Sequence, residues 1–294
     1  MPEESKGVLG KIPPRPVPLT RRSFADLLPR VASALVLMAA ALISVWQGGL
    51  IFGLIWLSAV LAVAYEWQQL IGAERPLYRF FLAAFGIVLS LAAARQKAYA
   101  IAGGVLLASA LGAGLMARPP RRIWAFAGVI YAGALLLSLV ALEGGARYGT
   151  ISILWLYAVV WGTDVFAYFG GRLIGGAKLW PAVSPSKTWS GTLTGIGTGA
   201  VLGTVLASAW LEWQTRFLPL LLLGVAATAV SQAGDIFESS VKRRFGAKDS
   251  SRLIPGHGGF MDRLDGFIAA AVFAALFGTL RGLSSVAAGL FSWP

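Results

Sequence analysis

Long apolar runs separated by short polar stretches make up most of the chain from residue 31 onwards. Many of these runs approach the roughly 20 residues that a helix needs to cross a bilayer. We therefore predict an all-α, polytopic integral membrane protein with about nine transmembrane helices, at residues 31–47, 50–71, 79–94, 98–117, 122–142, 150–169, 190–211, 217–234 and 266–288. This pattern divides the chain into a basic arm (1–30), a first group of spans (31–149) and a C-terminal region (150–294) with two long polar loops, 170–189 and 235–265.

Positive charges are distributed unevenly between the two sides that this arrangement creates. If the N-terminus is cytoplasmic, twenty of the twenty-five Lys and Arg residues fall on the cytoplasmic side and five on the other side. Cytoplasmic loops of membrane proteins carry an excess of Lys and Arg. The asymmetry predicts a cytoplasmic N-terminus, an odd number of spans, and a cytoplasmic position for both long polar loops.

The composition agrees with this arrangement and narrows the chemistry. Hydrophobic residues make up 57% of the chain and charged residues 13%, about half the charged fraction of a soluble domain. The absence of cysteine excludes disulfides, thiolate metal sites and cysteine nucleophiles. We attribute the net charge of +12 to the basic loops and not to nucleic-acid binding, because no soluble basic domain is visible.

Acidic residues gather at the ends of two predicted spans. Asp235 and Glu238 are three positions apart, as are Asp262 and Asp265, and this spacing puts each pair on one face of a helix. If the two helix ends are neighbours, three or four carboxylates meet there, and they repel unless a cation lies among them. Oxygen ligands suit Mg²⁺ or Ca²⁺. The cluster predicts a metal site, and the alternative is ordinary surface pairing, such as Asp262 with Arg263.

Cationic and hydroxyl side chains accompany these acids. The stretch VKRRFGAKDSSR contains five cations in eleven positions, which either bind phosphates and lipid headgroups or only anchor the loop on the cytoplasmic side. Ser184 and Lys187 precede a predicted helix, whose free N–H groups bind anions. Asp164 lies in a predicted span, where an acid is costly and indicates function. His257 is either a catalytic base or a turn residue. Metal, phosphate and membrane together indicate phosphoryl or nucleotidyl transfer on a lipid.

The stretch SSVKRRFGAKDSSRLIPGHGGFMDRLD, residues 239–265, closely resembles the signature of phosphatidate cytidylyltransferases, also called CDP-diacylglycerol synthases. The stretches DVFAYFGGRLIGGAKL, SPSKTWSG and QAGDIFESS resemble other blocks of that family, so the resemblance covers residues 161–266. One position departs from the family pattern: Ser186 stands where the family usually has a second lysine, while Lys187 remains.

This resemblance implies a reaction and a set of residue roles. The reaction joins CTP and phosphatidic acid into CDP-diacylglycerol and releases pyrophosphate. The implied setting is a homodimer in the cytoplasmic (inner) membrane with Mg²⁺ as cofactor, and a second cation is left open. The roles that we predict are metal binding for Asp235 and Asp262; catalysis for Asp265, Lys248, His257 and Arg263; and substrate binding for Lys187, Ser184, Lys242, Arg243 and Asp164.

Three other functions are weighed against this one. A transporter or channel predicts acids spread through several spans, whereas most acids here lie at one end. A CDP-alcohol phosphotransferase predicts a DG…AR…G…D…D pattern that the chain lacks. A cytidylyltransferase acting on an isoprenoid lipid phosphate stays open, because the motifs do not distinguish the lipid.

Overall fold

The structure, a computed structural model, describes residues 24–72, 74–145 and 147–293. Residues 1–23 of the predicted arm lie outside this range. The elements are α1 Phe24–Gln47, α2 Gly49–Leu70, α3 Pro76–Arg95, α4 Tyr99–Leu115, α5 Arg122–Glu143, α6 Gly149–Leu173, β1 Lys178–Trp180, β2 Ser184–Thr188, α7 Trp189–Trp210, α8 Phe217–Arg244, α9 Met261–Leu280 and α10 Ala288–Phe291.

The helices have the lengths and composition of membrane spans. Eight of the helices in the described residues are long and apolar enough to cross a bilayer, and α4, with 17 residues, is a shorter apolar helix. Large apolar side chains are exposed on the outside of the bundle, such as Leu35, Val36 and Phe81. Lipid is as apolar as these side chains, so their exposure carries no cost there. The prediction of an all-α, polytopic membrane protein is confirmed.

Two predicted loops are shorter than the sequence indicated. Helix α8 continues through Asp235 and Glu238 to Arg244, and α9 begins at Met261, so the polar loop spans 245–260 instead of 235–265. Helix α6 extends to Leu173, and the loop after it contains an antiparallel hairpin of β1 and β2. The charged side chains of α8 pair with other protein groups, so their polarity did not require the helix to end. Helix α9 ends at Leu280, eight residues before the predicted end.

Helices α6 and α7 approach each other more closely than side chains normally allow. Four glycines of α7 recur every fourth position and face α6: Gly191, Gly195, Gly199 and Gly203. A Cβ atom at any of them would lie under 3 Å from an atom of α6. Small residues at this spacing let membrane helices pack backbone against backbone. We call this contact the glycine seam.

One end of the bundle collects the chemically active segments. Ser33 of α1 contacts His257, Glu66 at the end of α2 contacts Ser250, and Lys187 of β2 contacts Asp235 of α8. The hairpin and loop 245–260 therefore lie at the same end, which we call the hairpin end.

Candidate active site

A cavity of about 310 Å³ opens at the hairpin end, between α6, α7, α8 and β2. Its polar lining includes Asp164, Arg172, Ser186, Lys187, Gln232 and Asp235. Both charges are present, and the wall is formed by helices that span the membrane. The cavity therefore places charged groups of both signs at the end of an apolar helix bundle.

Lys187 is the central cation of this cavity. Its Nζ lies 2.5 Å from Asp235 Oδ2 and donates to Gln232 Oε1 at 2.9 Å. Its side chain is 17% exposed. The hairpin positions it, because β2 ends at Thr188, whose Oγ1 accepts from Gly191 N and caps α7. The sequence prediction of a lysine at a helix start is confirmed in its location. Ser186 lines the cavity too, whereas Ser184 is not among its lining residues.

A second group of charges is buried between α8 and α9. Lys242 Nζ lies 2.8 Å from Glu238 Oε2 and 2.6 Å from Asp262 Oδ1. Glu238 is fully buried, and the side chains of Lys242 and Asp262 are 11% and 8% exposed. The ends of α8 and α9 are neighbours, which the spacing of the acids had left open. The cation between these two carboxylates is Lys242 of the chain itself, and the partner of Asp262 is Lys242 instead of Arg263.

Asp262 also holds the loop that precedes it. Its Oδ2 accepts from Gly259 N at 2.8 Å, and the Ser250 N–H donates to the same carboxylate. The Ser250 hydroxyl lies 3.0 Å from Asp262 Oδ2 and 3.0 Å from Glu66 Oε2, so the two carboxylates share its one proton. Asp262 lies in the first turn of α9, where a negative charge is favoured by the helix dipole. Both oxygens of Asp262 are thus occupied by hydrogen-bond donors.

Gly258 and Gly259, which follow His257, are each required for a different geometric reason. Gly258 has φ of +84°, a left-handed conformation that glycine adopts without strain. At Gly259, a Cβ atom would lie 2.5 Å from Glu66 Oε1. The two glycines therefore let the backbone turn and pass between two carboxylates.

Glu66 is a site residue that the sequence analysis missed. It is fully buried near the end of α2 and accepts from four donors of the segment 250–261. The signal for it was present, because an acid inside an apolar span indicates function. Glu66 lies far in sequence from the C-terminal region in which most of the acids gather.

The remaining predicted residues lie around loop 245–260. Lys248 and Arg243 are exposed, and Arg243 donates to Ala247 O. Arg263 donates from Nε and Nη2 to His257 O. The catalytic roles of Lys248 and Arg263 and the substrate-binding role of Arg243 stay predictions.

His257 is held by α1. Its Nδ1 lies 2.6 Å from Ser33 Oγ. Partial burial, followed by the nearby charges of Arg263 and Arg30, lowers the pKa of His257 below its usual 6.5. The ring is therefore predominantly neutral near pH 7.

The comparison with protein families identifies the group to which this fold and site belong. The profile described as "Cytidylyltransferase family" matches residues 28–280. The chain belongs to the cytidylyltransferase family. It is thus an enzyme of the nucleotidyltransferase class, as predicted.

Two curated members of this family are similar over nearly their full length, and a third over about half of its length. The phosphatidate cytidylyltransferase of Brucella melitensis is 40% identical over 272 residues, which cover 91% of this chain and 99% of the relative. That of Haemophilus influenzae is 34% identical over 84% of this chain and 97% of the relative. That of Bacillus subtilis is 37% identical over 47% of this chain and 51% of the relative.

The acids of this cytidylyltransferase form two groups instead of one cluster. Asp164 and Asp235 line the cavity, and Glu238 and Asp262 bind Lys242. Asp265 interacts electrostatically with Asp235 and Asp164, and its Oδ1 accepts from Gly266 N. Within the described residues, no three acidic or histidine side chains are gathered closely enough to hold a metal ion by themselves. The metal-binding roles of Asp235 and Asp262 stay predictions.

A second cavity, of about 380 Å³, lies at the opposite end of the bundle. Arg95, Lys97 and Glu143 contribute its charged lining, and Arg95 pairs with Glu143 at 2.9 Å. The family motifs and the two acid groups all lie at the hairpin end, so the smaller cavity is the candidate active site.

Proposed function

We propose that this enzyme transfers a cytidylyl group from CTP to phosphatidic acid, giving CDP-diacylglycerol and pyrophosphate. The observation that carries the proposal is the cavity at the ends of the spans, where Lys187 and Asp235 meet, in a chain whose nearly full-length relatives are named phosphatidate cytidylyltransferase. A lipid headgroup and a water-soluble nucleotide can both reach such a cavity.

The proposed step is an in-line substitution at phosphorus. A phosphate oxygen of phosphatidic acid attacks the α-phosphorus of CTP, the new P–O bond forms, and the bond from the α-phosphorus to the leaving pyrophosphate breaks. The attacking phosphate is already an anion, so the main obstacle is charge repulsion. Cations placed where negative charge develops lower that barrier. Lys187 and Arg172 face the cavity, and Asp235 orients the Lys187 ammonium through the contact at 2.5 Å.

We also propose Mg²⁺ as cofactor, held by Asp235 with Asp164 and with phosphate oxygens of the substrates; Asp262 stays a predicted ligand. Mg²⁺ in nucleotide enzymes is usually bound by one or two carboxylates plus substrate phosphates, and not by a cage of protein ligands. Two carboxylates in one cavity fit that donor set. Within the described residues, the other oxygen of Asp235, Oδ1, has a single long hydrogen bond of 3.4 Å from Ser239 Oγ. For Asp262 to bind the ion, one of its oxygens would have to release a hydrogen-bond donor. The bound ion would neutralise charge on the triphosphate and on the leaving pyrophosphate.

A turnover assay tests this function. Purified protein with CTP, phosphatidic acid and Mg²⁺ is expected to release pyrophosphate and form a nucleotide-linked lipid; EDTA should stop the reaction and excess Mg²⁺ should restore it. An isoprenoid lipid phosphate offered in place of phosphatidic acid tests the alternative substrate. Transfer of the γ-phosphate of ATP to the lipid, without pyrophosphate release, would assign the protein to the kinases instead.

We further propose that the hairpin end faces the cytoplasm, with the N-terminus on the same side, in the inner membrane and as a homodimer. Support for the orientation comes from the charge count of twenty against five. Because the chain lacks cysteine, single cysteines can be introduced at Ser250 and at Thr150, near the opposite end. A membrane-impermeant thiol reagent is expected to label the Thr150→Cys variant from outside intact cells and to leave the Ser250→Cys variant unlabelled. The reverse pattern would overturn the orientation.

A further inference from the structure

We propose that Glu66 is a positioning residue, which holds the segment 250–261 in the geometry that the reaction requires. The inference rests on the proposed function. Glu66 belongs to α2, which carries none of the family motifs, and its carboxylate reaches across to the loop and the start of α9.

The contacts of Glu66 use both carboxylate oxygens. Oε1 accepts from Ser251 Oγ at 2.6 Å and from Phe260 N at 2.8 Å. Oε2 accepts from Met261 N at 2.7 Å and from Ser250 Oγ at 3.0 Å. The two backbone N–H groups belong to the N-cap residue and the first residue of α9, where they have no partner within the helix. A negative charge at this place also complements the positive end of the helix dipole.

Glu66 and Asp262 form hydrogen bonds with the same segment from two sides. Ser250 Oγ lies 3.0 Å from Glu66 Oε2 and 3.0 Å from Asp262 Oδ2. Gly259 passes between the two carboxylates, and its N–H donates to Asp262. Both ends of the segment, at Ser250 and at Met261, are therefore held by hydrogen bonds to acidic side chains. Asp262 in turn forms an ion pair with Lys242, which also pairs with Glu238.

This arrangement links Glu66 to the loop residues predicted to act on the substrates. Lys248 lies two positions before Ser250, His257 lies within the segment, and Arg263 binds the carbonyl oxygen of His257. The hydrogen bonds of Glu66 within the described residues go to Ser250, Ser251, Phe260 and Met261, so its action on these side chains passes through the segment that it binds. An acid that only stabilised the fold would have no selective effect on the loop.

Glu66→Gln is the variant that separates the two roles. Glutamine has nearly the same shape, but it offers one acceptor oxygen, and its NH₂ group would face either Phe260 N or Met261 N. At least one of these N–H groups then loses its acceptor, which weakens the attachment of the segment. We expect amide hydrogen exchange within 250–261 to accelerate about tenfold or more, and turnover with CTP and phosphatidic acid to fall by a similar factor.

Gln68→Met is the matched control, because Gln68 lies on the same helix and is equally buried. Gln68 binds Ala125 O and Arg79 Nε, away from the loop. This variant is expected to lower the melting temperature while leaving exchange within 250–261 and the turnover of the folded protein unchanged. Exchange is measured without substrates, so its outcome does not depend on the proposed function.

Two results would overturn the proposal. One is unchanged exchange within 250–261 in Glu66→Gln. The other is a Gln68→Met variant that shows the same faster exchange and the same loss of turnover, which would make Glu66 an ordinary stabilising residue. If Glu66→Gln accelerates exchange while wild-type protein fails to use CTP, the positioning of the segment stands and the assigned reaction is wrong.

Discussion

Lys242→Met is expected to destabilise the protein by about 3–5 kcal/mol. The substitution keeps the length of the side chain and removes the ammonium group shared by Glu238 and Asp262. Glu238 is fully buried, and the described residues offer neither of its oxygens a hydrogen bond other than the ion pair with Lys242. Two buried carboxylates would then face each other without a counter-charge. Thermal unfolding in detergent measures the loss.

Two companion variants give this prediction its control. Arg243→Met removes the neighbouring cation, which is exposed, and should change stability by less than about 1 kcal/mol. Adding Glu238→Gln to Lys242→Met removes one of the two unpaired charges and should recover part of the stability. If Lys242→Met melts at the wild-type temperature, the three charges do not form a buried network.

Asp262→Asn is expected to lower CTP-dependent turnover by a factor of hundreds or more. A factor of that size corresponds to about 3–4 kcal/mol of lost transition-state stabilisation. If Asp262 binds Mg²⁺, the lost charge acts on the metal. If it does not, the amide still opposes at least one of the donors Lys242, Ser250 N and Gly259 N, and the loop shifts.

A Mg²⁺ titration separates these two causes. A lost ligand raises the Mg²⁺ concentration needed for half-maximal turnover, whereas a displaced loop lowers turnover at every concentration. Asp249→Asn, a change at an exposed acid of the same loop, serves as the matched control and should behave as wild type. Near-normal turnover of Asp262→Asn at limiting Mg²⁺ would remove Asp262 from the list of metal ligands. Asp235→Asn tests the cavity in the same titration.

The periodic apolar runs were sufficient to predict the fold class and most helix positions, because a bilayer imposes one length and one polarity on its spans. The same logic failed at the ends of α6 and α8. There the sequence is polar, and polarity alone does not distinguish a loop in water from a helix whose charges are paired. Glu238 and Lys242 are four positions apart and neutralise each other, so α8 continues.

The location of the site could be predicted from the sequence, whereas the ion-pair and hydrogen-bond partners of its acidic residues could not. The three-residue spacing of the acids predicted that each pair shares one face of a helix, and it left open whether the two helix ends are neighbours. It contained no information on which cation would enter between them, since Lys242 and Arg243 are adjacent in the chain and only their helical phase separates them. The contact of Glu66 with Ser250 joins positions 184 apart in the chain. Local patterns do not record such a pairing.

The glycine seam has a mechanical consequence for the cavity beside it. At most contacts between helices, side chains can change rotamer and absorb a small tilt, but here backbone meets backbone at Gly191, Gly195 and Gly199. Lys187 precedes this seam by four residues, and Asp164 lies on the facing helix. When the bilayer becomes thinner or thicker, we expect α6 and α7 to tilt together as one rigid unit. The spacing of Lys187 and Asp164 should therefore depend little on the thickness of the bilayer.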